Sequence, residues 1–160
     1  MSLLGKQIAY HGIDLAMHES AVNLREFDIL KMPIAFDDMT FDIVVAQGLF
    51  EYMAASQSQK FSEIARILRK NGSFIVTYTN FSHRDARIFE AFSNVQKMPE
   101  FQRDLERYFR VERRFPVSHN WHGGQPTRKI AMAANDYVNV DIPYLSRNLA
   151  VEYFFVCRPR

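Results

Sequence analysis

Hydrophobic and polar positions alternate along this chain in short blocks, and each block predicts one element. Phe41–Ala46 is a nearly continuous apolar run between turn-forming residues, which is the pattern of a strand buried on both faces. Residues 59–70 carry apolar side chains three and four positions apart and therefore predict a helix. The pair Asn71-Gly72 predicts its end, and the β-branched run 73–79 predicts a strand directly after it.

Weaker patterns predict the remaining elements, which are, in chain order, strands over 7–13 and 27–30, helices over 83–95 and 99–108, and strands over 109–115 and 150–157. Residues 116–148 are rich in proline and glycine and predict a long irregular connection. Alternation of strands and helices, followed by two strands joined by a long loop, predicts an α/β sandwich. We expect a mostly parallel sheet that ends in an antiparallel pair.

Composition narrows the class of protein. A chain of 160 residues predicts a single domain, 1–160, and 48% hydrophobic residues with 14% aromatics are enough for a packed core. A single cysteine, Cys157, excludes an internal disulfide and fits a reducing compartment. No apolar run approaches the length of a membrane helix, and the start is too weakly apolar for a secretory signal. We therefore expect a cytoplasmic protein with no membrane partner.

Charge is unevenly spread along the chain. Residues 1–60 contain four Lys or Arg and eight Asp or Glu, a balance of −4, and residues 61–160 carry a balance of +6. The excess in the second half suits either an anionic partner or an ordinary solvated surface with ion pairs. Acids are interleaved with the arginines of 103–114, and Arg103, Arg107 and Arg110 share a helix face only if the helix continues past Tyr108. We therefore expect no nucleic-acid partner.

Polar residues that directly follow predicted strands are the first candidates for a site, because ligands of such sheets bind at the carboxyl ends of strands. Asp14 could accept two hydrogen bonds from a ribose diol, or it could cap a helix. Asp28 could bind the edge of an adenine, or it could form a turn before Pro33. Gly48 permits the backbone to approach a ligand closely at the end of the strand, and Glu51 with Tyr52 adds polar groups beside it.

Five motifs occur in order and at suitable spacing: Gly12-Ile13-Asp14-Leu15, Phe27-Asp28-Ile29, Phe41-Asp42-Ile43-Val44-Val45, Gly48-Leu49-Phe50-Glu51-Tyr52 and Ile67-Leu68-Arg69-Lys70-Asn71-Gly72-Ser73. Together they resemble the class I S-adenosylmethionine-dependent methyltransferases of the small-molecule type, from about residue 4 to residue 80. The resemblance implies a Rossmann-like methyltransferase sandwich and S-adenosylmethionine as the cofactor.

The resemblance also implies residue roles. Asp14 would hold the ribose hydroxyls with Leu15 beside the adenine, and Asp28 with Ile29 would recognise the adenine edge. Three residues at the end of the central strand would border the sulfonium: Ala46, Gln47 and Gly48. Three residues would begin the acceptor side: Phe50, Glu51 and Tyr52. In the family Asp42 is mostly structural.

One departure from the family pattern concerns the start of the chain. Only 13 residues precede Asp14, and no two of the six glycines are separated by a single residue. The family's first strand and its glycine-rich loop are therefore expected to be missing, so that this sequence is an N-terminally truncated, C-terminal portion of the fold. The missing strand would lie between those ending at Asp14 and Ala46. We expect the uncovered edges to rearrange or to form a homodimer.

The remaining candidates lie in the second half. Asn80 and His83 follow the strand 73–79, where Asn80 would contact an acceptor and His83, or else Tyr52, would act as a catalytic base. His119 and Trp121 could line an acceptor pocket, bind a metal or pack in the loop. A metal site needs three or four ligands and the other histidines are scattered, so we expect none.

Three functions remain open at this point. The first is methyl transfer from S-adenosylmethionine to a small-molecule acceptor. The second is a non-catalytic, methyltransferase-like binding or interaction module that uses the uncovered sheet edge or the loop 116–148. The third is a Rossmann-like enzyme with a nicotinamide cofactor, which the segments around Asp28 and Gly48 fit poorly.

Overall fold

A computed structural model describes residues 2–3, 6–7, 9–15, 23–53, 56–79, 96–119 and 150–160. The chain divides into two compact units, Met1–Phe36 and Asp37–Arg160. The helix expected over 83–95, most of the connection 116–148, and the candidates Asn80, His83 and Trp121 lie outside the described residues.

The described residues of the first unit form four short strands. Strands β1 (Ser2–Leu3) and β2 (Lys6–Gln7) pair antiparallel, and β3 (Gly12–Asp14) pairs parallel with β4 (Leu24–Glu26). The strand expected over 27–30 is wrong, because the chain turns there instead. Asp28 accepts hydrogen bonds from Leu30 N through Oδ1, at 3.0 Å, and from Lys31 N through its carbonyl, at 2.9 Å. This side-chain bond competes with extended backbone.

The second unit is built on one four-stranded sheet. Its strands are β5 (Phe41–Ala46), β6 (Leu68–Thr79), β7 (Phe109–His119) and β8 (Ala150–Pro159), in the spatial order β5-β6-β8-β7. β5 and β6 are parallel, and β8 is antiparallel to both of its neighbours. The antiparallel final pair is therefore confirmed. β7 runs on through residues 116–119, where an irregular connection was expected, so that part of the expectation is wrong.

The described residues of the second unit also form two helices and one turn of 3-10 helix. The 3-10 turn is Phe50–Tyr52, α1 is Gln57–Ile67 and α2 is Met98–Tyr108. α1 ends four residues before Asn71, because Leu68 is already extended and pairs with Phe41 in the sheet. Gly72 instead allows the backbone to pack closely, because a Cβ at this position would lie only 2.9 Å from the carbonyl oxygen of Arg69. α2 ends at Tyr108, so Arg110 does not share a helix face with Arg103 and Arg107.

The core of the second unit is aromatic. Alternate residues of β6, Phe74, Val76 and Tyr78, are fully buried. Phe50 stacks on Phe61 with ring centroids 4.6 Å apart, and Phe101 stacks on Tyr78 at 3.7 Å. Burying one such side chain contributes about 1.5–3 kcal/mol, so this cluster is the main source of stability around the sheet. It also fixes the carboxyl end of β6.

Strand β5 is less buried than its sequence predicts. Ala46 is buried, but the side chains of Ile43 and Val45, which point to the other face, are 58% and 63% exposed. Within the described residues β5 pairs only with β6 and is an edge strand of the sheet. The expectation of a strand buried on both faces is therefore wrong for the described structure.

Candidate functional site

The chain leaves β5 through a glycine in a left-handed conformation. Gly48 has a φ of 58°, which L side chains rarely adopt, and its backbone N–H donates to the Thr77 hydroxyl of β6 at 3.0 Å. No heavy atom lies within 4 Å of the position that a Cβ would take at Gly48. The backbone at the carboxyl end of β5 is therefore fixed on one side and open on the other.

Glu51 lies in the 3-10 turn that follows, and only 4% of its surface is exposed. Its Oε1 accepts two hydrogen bonds from Thr79, one from the backbone N–H at 2.7 Å and one from the hydroxyl at 3.0 Å. Its Oε2 is buried and has no hydrogen-bond partner among the described residues. A buried acceptor without a partner costs free energy, so Oε2 is suited to accept a hydrogen bond from a bound ligand.

The turn that carries Glu51 is held from two sides. The Gln57 side chain, at the start of α1, donates to the Phe50 carbonyl oxygen at 2.8 Å. The Phe50 side chain has no exposed surface and packs in the aromatic core. Tyr52 is 60% exposed and points to the surface instead. Phe50 therefore supports the turn from beneath, whereas Tyr52 is accessible.

Tyr78 links the end of β6 to the segment before α2. Its hydroxyl donates to the carbonyl oxygen of Gln96 at 2.8 Å, and its ring stacks on Phe101. Burial raises the pKa of Tyr78 well above its ordinary value. The phenol stays protonated and acts as a structural donor, so it is unsuited to accept a proton.

The first unit brings Asp14 and Asp28 to the same edge of its small sheet. β3 and β4 are parallel, and Phe27 N donates to the Asp14 carbonyl oxygen at 2.7 Å. The Asp14 carboxylate is exposed, and its Oδ1 accepts from Leu15 N at 2.7 Å. Leu15 is exposed, whereas Asp28 and Ile29 are half-buried. One carboxylate is therefore accessible, and the other closes a turn.

The second unit brings together its own set of candidates. Ala46, Gln47, Gly48, Glu51 and Tyr52 all lie at or just beyond the carboxyl end of β5, with Ala46 buried and Gln47 exposed. Of His119 only the backbone is described, as the last residue of β7.

Sequence reasoning missed Thr77 and Thr79. Both hydroxyls lie on the face of β6 opposite to Phe74, Val76 and Tyr78, and they bind Gly48 and Glu51. The signal was present, because a period of two along 73–79 places these threonines on one face at the carboxyl end of the strand. At the other end of β5, Arg69 Nη1 donates to both carboxylate oxygens of Asp42, to Oδ1 at 2.8 Å and to Oδ2 at 2.9 Å.

The described residues contain neither a metal-binding cluster nor a membrane-spanning helix. No three His, Cys, Asp or Glu groups in that part of the chain converge as ligands of a metal ion. None of the helices described above is long and apolar enough to cross a membrane.

The strand order and the site together define a class of protein. A parallel β5–β6 pair, two antiparallel C-terminal strands and candidate ligand groups at the carboxyl ends of strands define a Rossmann-like α/β fold. The family described as "Methyltransferase domain" matches residues 4–76. The resemblance to the class I S-adenosylmethionine-dependent methyltransferases is thereby confirmed over that segment.

Solved structures show the same fold at low sequence identity. A SAM-dependent methyltransferase from Archaeoglobus fulgidus matches with a TM-score of 0.65 at 13% identity, over 91% of this chain and 74% of that one. A TehB-like SAM-dependent methyltransferase from Corynebacterium glutamicum matches at 0.56 and 13%, over 86% and 56%. The PH0226 protein from Pyrococcus horikoshii matches at 0.56 and 20%, over 88% and 61%.

The chain thus spans 61% of the Pyrococcus protein and 56% of the Corynebacterium protein. No curated protein matches this sequence. At these identities the solved structures show the fold.

Proposed function

We propose that residues 1–160 form one methyltransferase domain that transfers a methyl group from S-adenosylmethionine to a small-molecule acceptor. The observation that carries this proposal is the geometry after β5. The Thr77 hydroxyl fixes the backbone N–H of Gly48, and the space beside the Gly48 Cα is open. Three residues further on, the buried Glu51 has a carboxylate oxygen, Oε2, with no hydrogen-bond partner among the described residues. The family match over residues 4–76 supports the same function.

Each unit, taken by itself, contains residues whose chemistry fits a part of the cofactor. Asp14 offers an exposed carboxylate at the end of β3, which is suited to a ribose diol, and the open space at Gly48 would be filled by any Cβ. We propose the following cofactor-binding residues: Asp14, Leu15, Asp28, Ile29, Ala46, Gln47 and Gly48. When bound, S-adenosylmethionine supplies an activated methyl group on its sulfonium.

Glu51 is the proposed orienting residue for the acceptor. Its Oε1 is fixed by Thr79, which leaves Oε2 to accept a hydrogen bond from an acceptor hydroxyl or amine. Methyl transfer from a sulfonium depends mainly on in-line positioning of the acceptor, so orientation is the contribution needed. The other proposed acceptor-side residues are Phe50 as support, Tyr52, Asn80, His119 and Trp121, with His83 or Tyr52 to remove a proton.

We also propose that two copies of the chain associate through the free edge of β5. Among the described residues β5 is an edge strand, and one of its faces carries the exposed apolar side chains Ile43 and Val45; an apolar edge strand favours pairing with a second strand.

A thermal-shift experiment with S-adenosylhomocysteine tests the cofactor proposal. At about 100 times its dissociation constant this ligand should raise the Tm of the chain by about 5 °C or more. Asp14→Asn removes the charge that would hold the ribose and should weaken binding by about tenfold to hundredfold. Glu51→Gln should leave the cofactor shift unchanged, because Glu51 is assigned to the acceptor.

Asp37→Asn is the matched control, since it removes an exposed carboxylate from a loop outside the proposed site. Its thermal shift should equal that of the original chain. An equal shift in Asp14→Asn, with folding intact by circular dichroism, would remove Asp14 from the site. Absence of a shift in every variant and in the original chain would favour a non-catalytic module.

A further inference from the structure

A cavity of about 620 Å³ lies at the end of the four-stranded sheet where β6 and β7 begin and β8 ends. The residues that line it are Lys70, Asn71, Arg110, Arg158, Pro159 and Arg160. Four of these six side chains are cationic. Its volume is in the usual range of small-molecule sites.

The cavity keeps an excess of positive side-chain charge after its ion pairs are counted. Glu112 is the acid that contacts these cations in the described residues: Arg110 Nη2 lies 3.2 Å from its Oε1, and Arg158 Nε lies 3.3 Å from its Oε2. One side-chain carboxylate thus faces four cationic side chains, which leaves an excess of positive side-chain charge in one concave surface. The adjacent Arg69 is already paired with Asp42.

Two of the arginines are held in place by the backbone of neighbouring strands. Arg158 Nη1 donates to the carbonyl oxygen of Asn71, and Arg160 Nε donates to that of Phe109 at 3.3 Å. The backbone N–H of Arg160 donates to the Tyr108 carbonyl oxygen at 3.0 Å. These bonds order the guanidinium groups before any ligand arrives, which reduces the entropy lost on binding.

The cavity is separate from the candidate methyltransferase site. Gly48 and Glu51 lie at the carboxyl end of β5 and bind the last residues of β6, whereas Lys70 and Asn71 lie near the beginning of β6. The stretch from Ser73 to Thr79 alone spans roughly 20 Å in extended backbone. The cofactor and acceptor proposed above therefore do not account for this cationic cavity.

We propose that this cavity binds a diphosphate group, either as the free anion or as the end of a small organic ester. Guanidinium groups match phosphate oxygens with pairs of parallel hydrogen bonds, and Lys70 adds a point charge beside them. A diphosphate is a multiply charged anion, which suits the excess of positive side-chain charge in the cavity. This proposal does not depend on the methyltransferase function.

Calorimetric titration of the full chain at low salt, with inorganic pyrophosphate and with uridine diphosphate, tests the proposal. Both compounds should bind with one site per chain. Tighter binding of uridine diphosphate assigns the ester, and tighter binding of pyrophosphate assigns the free anion. Lys70→Gln and Arg110→Gln change exposed residues, and each should weaken binding by about tenfold.

Arg103→Gln is the matched control, because it removes one exposed positive charge from α2, outside the cavity. Its affinity should be unchanged. Equal weakening in Arg103→Gln, equally tight binding of citrate, or no binding at millimolar pyrophosphate would each overturn the proposal. Tighter binding of an oligonucleotide that lacks a terminal phosphate would overturn it as well, in favour of a nucleic-acid surface.

Discussion

Cys157 lies in β8 with no exposed surface, opposite Phe74 of β6. Burial, reinforced by the negative charges of Glu106 and Glu112, raises the pKa of its thiol from 9.0 to about 12. The folded thiol is therefore neutral over the ordinary pH range. A neutral, inaccessible thiol is a poor nucleophile, so this cysteine serves packing.

The raised pKa of Cys157 gives a prediction about stability against pH. The unfolded chain loses the thiol proton first, so the contribution is complete below about pH 9 and falls as the pH rises from about 9 towards 12. Urea unfolding at pH 8.5 and 10.5 should show a larger loss of unfolding free energy in the original chain than in Cys157→Ala. An equal loss in both chains, or rapid reaction of the folded thiol with a disulfide reagent at pH 8, would contradict it.

Single residues also show what a sequence pattern can and cannot determine. Gly48 could be placed at the end of a strand from its neighbours alone, and the structure adds a positive φ and open space beside it. For Asp28, the pattern favoured a turn and left a binding site as the alternative, and the structure shows a turn bond from Leu30. The unpaired oxygen of Glu51 depends on a contact with Thr79, 28 residues away, which no local pattern contains.

At the scale of elements, hydrophobic periodicity predicted existence better than boundaries. α1 and β6 both form where expected, but the helix ends at Ile67 because the backbone has to extend early to pair with Phe41. β5 has the predicted bounds but is exposed on one face. Burial of a strand depends on its neighbours in space, and those neighbours are not encoded in the strand itself.

The exposed edge of β5 gives a prediction about association. The original chain should be a dimer at tens of micromolar in light scattering coupled to size-exclusion chromatography. Val45→Lys places a charge on the proposed interface and should yield a monomer, because charged edge residues oppose strand pairing.

Leu30→Lys is the control for this experiment, since Leu30 is an exposed apolar residue of a turn in the first unit. This variant should remain dimeric. A monomeric original chain, or dissociation caused equally by Leu30→Lys, would exclude the β5 interface.

At the scale of the whole molecule, the sheet of the second unit carries candidate groups at both of its ends. The proposed site residues of this unit around Gly48 and Glu51 follow the carboxyl end of β5, and the cationic cavity lies at the opposite end of the sheet. The family resemblance and the antiparallel C-terminal pair could be inferred from ordered motifs and alternation along the chain. The cavity could not, because its residues come from three separate stretches of sequence, at 70–71, 110 and 158–160, and meet only when β6, β7 and β8 are assembled.

The measurement that tests the account most directly is calorimetric titration of this chain with S-adenosylhomocysteine, with NAD⁺ as the competing cofactor class. We predict one site per chain with a dissociation constant in the micromolar range, and no heat with NAD⁺. Binding of NAD⁺ alone, or no binding of S-adenosylhomocysteine at millimolar concentration, would contradict the assignment of Asp14 and Gly48 to an S-adenosylmethionine site.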